Sequence, residues 1–310
     1  MTAHDTFNPS EMTNPPVESP PTVRVVDLET LFSEPEPNGI VEIGYTDVVA
    51  TRTDLFGEPT QWEVRPGKGY LVNPLQPIPA ETMAVHHIMD CDVVGAPVWR
   101  EVHPLVFDVD VVAYAAHGAE FERKWLSEEI TGKAPWIDTY RCALNLYPDS
   151  PTFKNNGLRY YLRPEGIDRE LCMPPHRAQP DSYVTAHTVR DMLNAGHAIE
   201  QLVKFTNNPA PIPTCKIGDT YYNGGKGTPW KDVEWSMLTW ILKKDFGEDV
   251  VFTVRREMER REVDQRLENE RVDLNRQFKA NSLPETPPAQ ELPPVAAVPG
   301  PVASRAGCWL

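Results

Sequence analysis

Basic residues are scarce in this chain. Lys and Arg number 30 against 45 Asp and Glu, a formal net charge of −15. That balance excludes a protein that holds nucleic acid or an anionic surface through a broad basic face. It leaves room for local, weak and transient contact, because carboxylates clustered around divalent ions count as negative although bound metal offsets them. Paired cysteines are missing too. The five cysteines (Cys91, Cys142, Cys172, Cys215 and Cys308) are scattered, with no CxxC among them, which disfavours a zinc knuckle and a disulfide framework alike. That usage suits a reducing compartment, and a cytoplasmic location is expected. Cys308 stands third from the end, whereas a prenylation box needs it fourth. No stretch approaches the roughly 20 apolar residues of a spanning helix, so no membrane role is expected. Gly224-Gly225-Lys226-Gly227-Thr228 lacks the GxxxxGK[ST] spacing of a phosphate loop and reads as a turn.

Much of the proline sits near the ends. Residues 1–21 and 281–310 are polar or proline-rich without an apolar pattern, and are expected to be disordered tails. Between them the chain reads as α/β. Val23–Val26, Ile40–Val49 and Gln61–Val64 read as an early antiparallel meander, and Val109–Ala115 as a central strand buried on both faces. Trp136–Ile137 is a short fifth strand. Helices are expected at Pro79–Ile88, Ala119–Ile130, Thr139–Leu146 and Leu158–Leu162. A long one is expected over Ser182–Phe205, where Val184, Val189, Met192, Leu193, Ile199, Leu202 and Val203 recur at helical spacing. The result is a mixed five-stranded sheet flanked by helices over residues 22–207. A tryptophan-rich module follows over 212–253, with Trp230, Trp235 and Trp240 expected to form a small core. Residues 254–280, dense in Glu and Arg, read as a solvated charged helix.

Three stretches carry the chemistry: Val25–Thr30 (VVDLET), Ala115–Glu122 (AAHGAEFE) and Pro174–Asp181 (PPHRAQPD). Alternate residues of a strand share a face, so Asp27 and Glu29 point the same way from the end of the first strand. Two carboxylates together suit hard cations such as Mg²⁺. Alone, Asp-x-Glu is common by chance. Glu122 falls in the first turns of a helix after the central strand, where an acid also simply favours the helix dipole. The third stretch is more specific: His176 follows two prolines, and Asp181 begins the long helix. An imidazole on a loop and a carboxylate on a helix then meet near one helix start, ready for general-base work on a metal-bound water.

In this order, these motifs resemble those of the DEDDh 3′–5′ exonucleases, of ribonuclease-H-like fold. The resemblance covers about Thr22–Phe205 and includes Pro135–Leu162. Thr214–Leu242, with Gly225-Lys226, Trp230, Val233, Leu238 and Trp240, is similar to the small C-terminal module of exodeoxyribonuclease-X-like members. The resemblance implies that Asp27, Glu29, Glu122 and Asp181 bind two Mg²⁺ (or Mn²⁺) ions, with His176 as general base. It also implies Thr30 beside the terminal nucleotide and His87 in a minor role at the substrate end. Two departures stand out, since the family usually has Asp where Glu122 stands and Asn where Gly118 stands.

The expected activity is hydrolysis at DNA 3′ ends, releasing nucleoside 5′-monophosphates. A related exoribonuclease or polymerase proofreading exonuclease shares the same site. A non-catalytic DNA-end binder is the reading from another class, and recruitment of a replication or repair protein by the tails stays open. His86-His87-x-x-Asp90-x-Asp92 offers metal-ligand types, but adjacent helical histidines point about 100° apart, so no second metal site is expected there.

Overall fold

The computed structural model describes residues 19–218 and 227–281. Most of the two expected tails and the Gly224-Gly225-Lys226 turn lie outside the described residues.

Nine residues, six of them β-branched or apolar, form β1 (Thr22–Thr30), the spine of the main sheet. It pairs antiparallel with the long β2 (Ile40–Thr53), which in turn pairs with β3 (Pro59–Val64) and β4 (Lys68–Leu71). On its other side β1 runs parallel to β5 (Ala113–Ala116), and β5 runs parallel to β6 (Trp136–Asp138). The strand order is β3-β2-β1-β5-β6, with β4 also on β2, so the sheet has six strands and not the five expected. The extra strand, Lys-Gly-Tyr-Leu, is too short and too polar to show a period-2 pattern. The central strand is shorter than expected, four fully buried small or aromatic residues beginning at Ala113.

Two apolar clusters cover the two faces. Val23, Val25, Ala113, Ala115 and Ile137 pack with helices α8 (Ala178–Asn194) and α9 (Ile199–Asn207). Val26, Leu28, Tyr114, Ala116 and Trp136 pack with α3 (Trp99–Phe107) and α4 (Glu120–Trp125) on the other. The alternation along β1 and β5 sends neighbouring residues to opposite clusters, as the pleat requires. The remaining helices of this part are α1 (Ala80–His86), α2 (Asp90–Val93), α5 (Glu128–Thr131), α6 (Thr139–Leu146) and α7 (Asn155–Leu162).

Two expected helices are broken. Ala119–Ile130 divides at Leu126-Ser127 into α4 and α5. Ser182–Phe205 divides after Asn194, where Gly196 N–H bonds to the Leu193 carbonyl and His197 N–H to that of Met192. This is a Schellman stop, with Gly196 at φ +91° in the left-handed position that glycine occupies without strain. Apolar periodicity resumes in α9 and hides the break.

Beyond Asn207, Cys215, Trp230, Val233, Leu238, Ile241 and Val254 form a separate small core. It is built from β7 (Thr214–Cys215), β8 (Thr228–Pro229), α10 (Trp235–Ile241) and the first turns of α11 (Glu248–Asn281). Of its three tryptophans only Trp230 is buried, while Trp235 and Trp240 are exposed, because α10 turns Leu238 and Ile241 inward. The charged helix begins at Glu248, six residues earlier than its composition suggests. The chain divides into two compact units at Met258, so the residues of α11 from Glu259 onward belong to the second. Among the described residues, no helix is long and apolar enough to cross a membrane.

Candidate active site

The end of β1 delivers Asp27 and Glu29 to one face, and the start of α8 delivers Asp181 to the same place. One carboxylate oxygen from each lies within 4.8 Å of the others. The approach depends on Gly44, which pairs with Asp27 across β1 and β2. A Cβ at Gly44 would sit 2.2 Å from the Ala178 backbone, so only glycine lets α8 start so close to the sheet.

A half-buried ion pair holds that helix start. Glu42, opposite Glu29 on β2, accepts from Arg177 Nε at 2.9 Å and from a terminal guanidinium nitrogen at 2.7 Å, and also from the Ala178 N–H at 3.0 Å. Sequence reasoning passed over both residues. The signal was an acid set within the apolar run of β2, with the Arg placed inside the third motif. The two are distant in sequence, so nothing local pairs them.

Asp181 accepts from the backbone N–H of His176 at 2.9 Å and from the Asn156 amide at 3.3 Å. Asn155 donates to the Asp181 carbonyl, so α7 braces the same turn. His176 adopts a left-handed backbone, φ 59°, and its side chain is exposed beside Asp181. Thus the helix-borne carboxylate is held by two hydrogen bonds while the imidazole is open to solvent.

Glu122 is buried in the first turn of α4, and its Oε2 finds no hydrogen-bond partner among the described residues. It is not part of the three-carboxylate group, yet it is close enough to raise the Asp27 pKa. The turn before it is held by Asp138. Its Oδ1 accepts from the Gly118, Tyr140 and Arg141 N–H groups while capping α6. His117 is no ligand: its ring bonds Thr139 Oγ1 at 2.9 Å and the Phe153 carbonyl at 2.8 Å. Burial lowers its pKa to about 4, so it is a neutral clamp.

The electrostatics follow from acids without cations. Burial, then the neighbouring Asp181 and Glu42, pushes Glu29 up to about 8. Glu122 is likewise pushed up to about 8 by burial, with Asp138 and Glu29 adding to it. Asp27 is raised well above the usual carboxylate range by burial and by Glu29, Glu122 and Asp181. Asp181 is raised by burial despite the hydrogen bonds from His176 and Asn156. Buried, mutually repelling carboxylates with an orphaned oxygen are what a divalent cation would satisfy, so the donor set fits hard metal ions.

Thr30 ends β1 beside the cluster, its hydroxyl donated to the Phe32 carbonyl at 2.7 Å. His87 is exposed in a left-handed conformation after α1. Its neighbour His86 is buried, accepts the Ile88 N–H on Nδ1, and feels both Glu42 and Arg177. One ring is thus buried within the helix and the other exposed beyond its end.

No family model matches the chain. Exodeoxyribonuclease 10 of Escherichia coli (strain K12) is 30% identical over 221 residues, which is 71% of this chain and 90% of the relative. The chain belongs to the exodeoxyribonuclease 10 family of DEDDh exonucleases. The same identity and coverage hold for the family's protein in E. coli O6:H1 (strain CFT073 / ATCC 700928 / UPEC). Among solved structures, exonuclease X in complex with 5′ overhanging duplex DNA is 28% identical. That likeness covers 59% of this chain and 99% of that one, with a TM-score of 0.46. The nuclease domain of 3′hExo, a DEDDh family member, bound to rAMP, is 16% identical over 58% of this chain and 94% of that one, with a TM-score of 0.42. In this exodeoxyribonuclease 10 family member, Glu122 brings one more methylene than Asp, and Gly118 leaves no amide side chain in the turn.

Proposed function

We propose that the protein is a two-metal 3′–5′ exonuclease that hydrolyses phosphodiester bonds at DNA 3′ ends and releases nucleoside 5′-monophosphates. The observation that carries the reading is the convergence of Asp27, Glu29 and Asp181, with Glu122 beside them and His176 on an open loop. Asp27, Glu29, Asp181 and Glu122 would hold two divalent ions, Mg²⁺ or Mn²⁺. When bound, such a pair activates water and stabilises the departing 3′ oxygen of an in-line displacement. His176 takes the proton of the attacking water, swinging on its loop, while its own backbone N–H keeps Asp181 in place. Arg177 and Glu42 position the helix that carries Asp181. Thr30 and His87 lie at the terminal-nucleotide end. The preference for DNA over RNA rests on the activity named for the E. coli relative.

In the same reading the exonuclease domain spans residues 22–207, the module 212–253 attaches to it, and the protein works in the cytoplasm. The test is a 5′-labelled oligonucleotide, as single-stranded DNA, duplex DNA and RNA, with Mg²⁺ or Mn²⁺. A ladder shortening from the 3′ end of DNA is expected, and an intact oligonucleotide in all arms overturns the proposal. His176→Ala is expected to lower turnover by about 10²-fold or more while leaving DNA affinity within about twofold. Equal loss of both removes the base role.

A further inference from the structure

The second unit carries an apolar stripe that nothing in the catalytic reading uses. From Glu259 onward α11 is dense in charge, yet Val263, Leu267, Leu274 and Phe278 are exposed at 37%, 58%, 66% and 80%. At 3.6 residues per turn the four fall within an arc of about 60°. The salt bridges Arg260–Asp264, Glu268–Arg271 and Asp273–Arg276 support the helix itself. A single solvated helix has no need of large apolar side chains in register on one face.

The stripe is self-complementary when turned end for end. About the midpoint between Glu270 and Arg271, Val263 exchanges with Phe278 and Leu267 with Leu274. A small side chain then meets a large one, and Leu meets Leu. The centre is closed by Glu270 level with Arg271 of the other copy, a net-neutral layer. Charge also selects the direction. Two copies pointing the same way would set Arg266 beside Arg271 and Glu259 beside Asp264, both like pairs. Opposite directions bring Arg266 to Asp273, whose existing partner Arg276 is an exposed pair of small worth.

We propose that the chain forms an antiparallel homodimer through the Val263–Phe278 face of α11. The contact is about 24 Å long, at the small end of specific interfaces, so association is concentration-dependent and not obligate.

Analytical ultracentrifugation of the full-length protein across a concentration series tests this. The parent is expected to pass from monomer to dimer. Leu267→Asp with Leu274→Asp should weaken association by about a hundredfold with exonuclease turnover at low concentration unchanged. Arg266→Asp and Asp273→Arg should each weaken self-association, and the two variants mixed should associate with one another. A parent that stays monomeric throughout overturns the proposal, as does a Leu267→Asp/Leu274→Asp protein that dimerises like the parent. Stronger self-association of Arg266→Asp overturns the antiparallel arrangement. The sedimentation readings do not depend on the assignment of the nuclease site.

Discussion

Strand β1 buries charge at two places, and it treats them oppositely. At Arg24 the guanidinium grips both oxygens of Asp47, at 2.8 and 2.7 Å, donates to the Val106 carbonyl, and lies over the Tyr45 ring at 4.1 Å. Three residues on, Asp27 and Glu29 face Asp181 and Glu122, and the nearby Arg177 guanidinium pairs with Glu42, easing Glu29 only in part. One place carries its countercharge within the chain and is scaffold. The other leaves four acids raised chiefly by burial, an arrangement that fits cations from outside. Burial of a charged residue does not by itself mark a site; a buried charge whose partner is missing does.

The largest expected break in that comparison is a pair of isosteric changes. Asp47→Asn strands Arg24 and is expected to cost about 3 kcal/mol of stability, read from chemical denaturation. Asp27→Asn is expected to raise the stability of the metal-free protein, because it removes one of the repelling acids, while abolishing exonuclease activity. Destabilisation by both changes alike would show that the acidic cluster is internally compensated.

Next in size is the pH profile. Glu29 and Glu122, held near 8 when folded, keep protons that the unfolded chain releases from about 4.5 upward. Their stabilisation is therefore full below about pH 4.5 and lost as pH rises to about 8. His117 and His187, both lowered to about 4 chiefly by burial, act in the other direction. The unfolded chain gains protons there as pH falls from about 6.5, so stability is lost toward pH 4. The metal-free protein should thus peak in mildly acid solution and weaken from pH 6.5 to 8. Saturating Mg²⁺ or Mn²⁺ should flatten the alkaline limb, as followed by thermal melts with and without chelator. An alkaline limb indifferent to metal would uncouple these acids from cation binding.

The smallest effect concerns Glu122. Because its carboxylate stands outside the tight group of three, Glu122→Asp is expected to change turnover by less than about tenfold in Mn²⁺, whereas Glu122→Gln should lose most of it. Equal loss from both would mean that side-chain reach, more than charge, sets the second metal position.

The acids that the fold brings together were legible in the sequence. Asp-x-Glu on a β-branched strand and His-x₄-Asp across a proline-marked helix start depend on local geometry, and local geometry is written in adjacent residues. The early antiparallel strands were legible for the same reason, whereas the strand order was not: β1, and not the strand at Ala113–Ala116, lies at the centre of the sheet. The Schellman stop at Gly196 was hidden because apolar residues keep helical spacing on both sides of it. The Glu42–Arg177 clasp and the bracing by Asn155 and Asn156 were also invisible, since each joins segments brought together only by the fold. His187 carried no sequence signal either: it is buried on α8, edge-on to the Tyr183 ring at 4.7 Å, with both ring nitrogens unpartnered among the described residues.

The sequence by itself determined which acids exist, which two share a strand face, and which imidazole accompanies the third. Those are matters of period and spacing. Tertiary structure alone decided that Gly44 lets α8 reach the sheet, that Asp181 therefore meets Asp27 and Glu29, and that Glu122 stands slightly apart. It also decided which buried charges receive a partner. Long-range packing sets distances of a few ångströms between segments far apart in the chain, and metal chemistry depends on distances of that size.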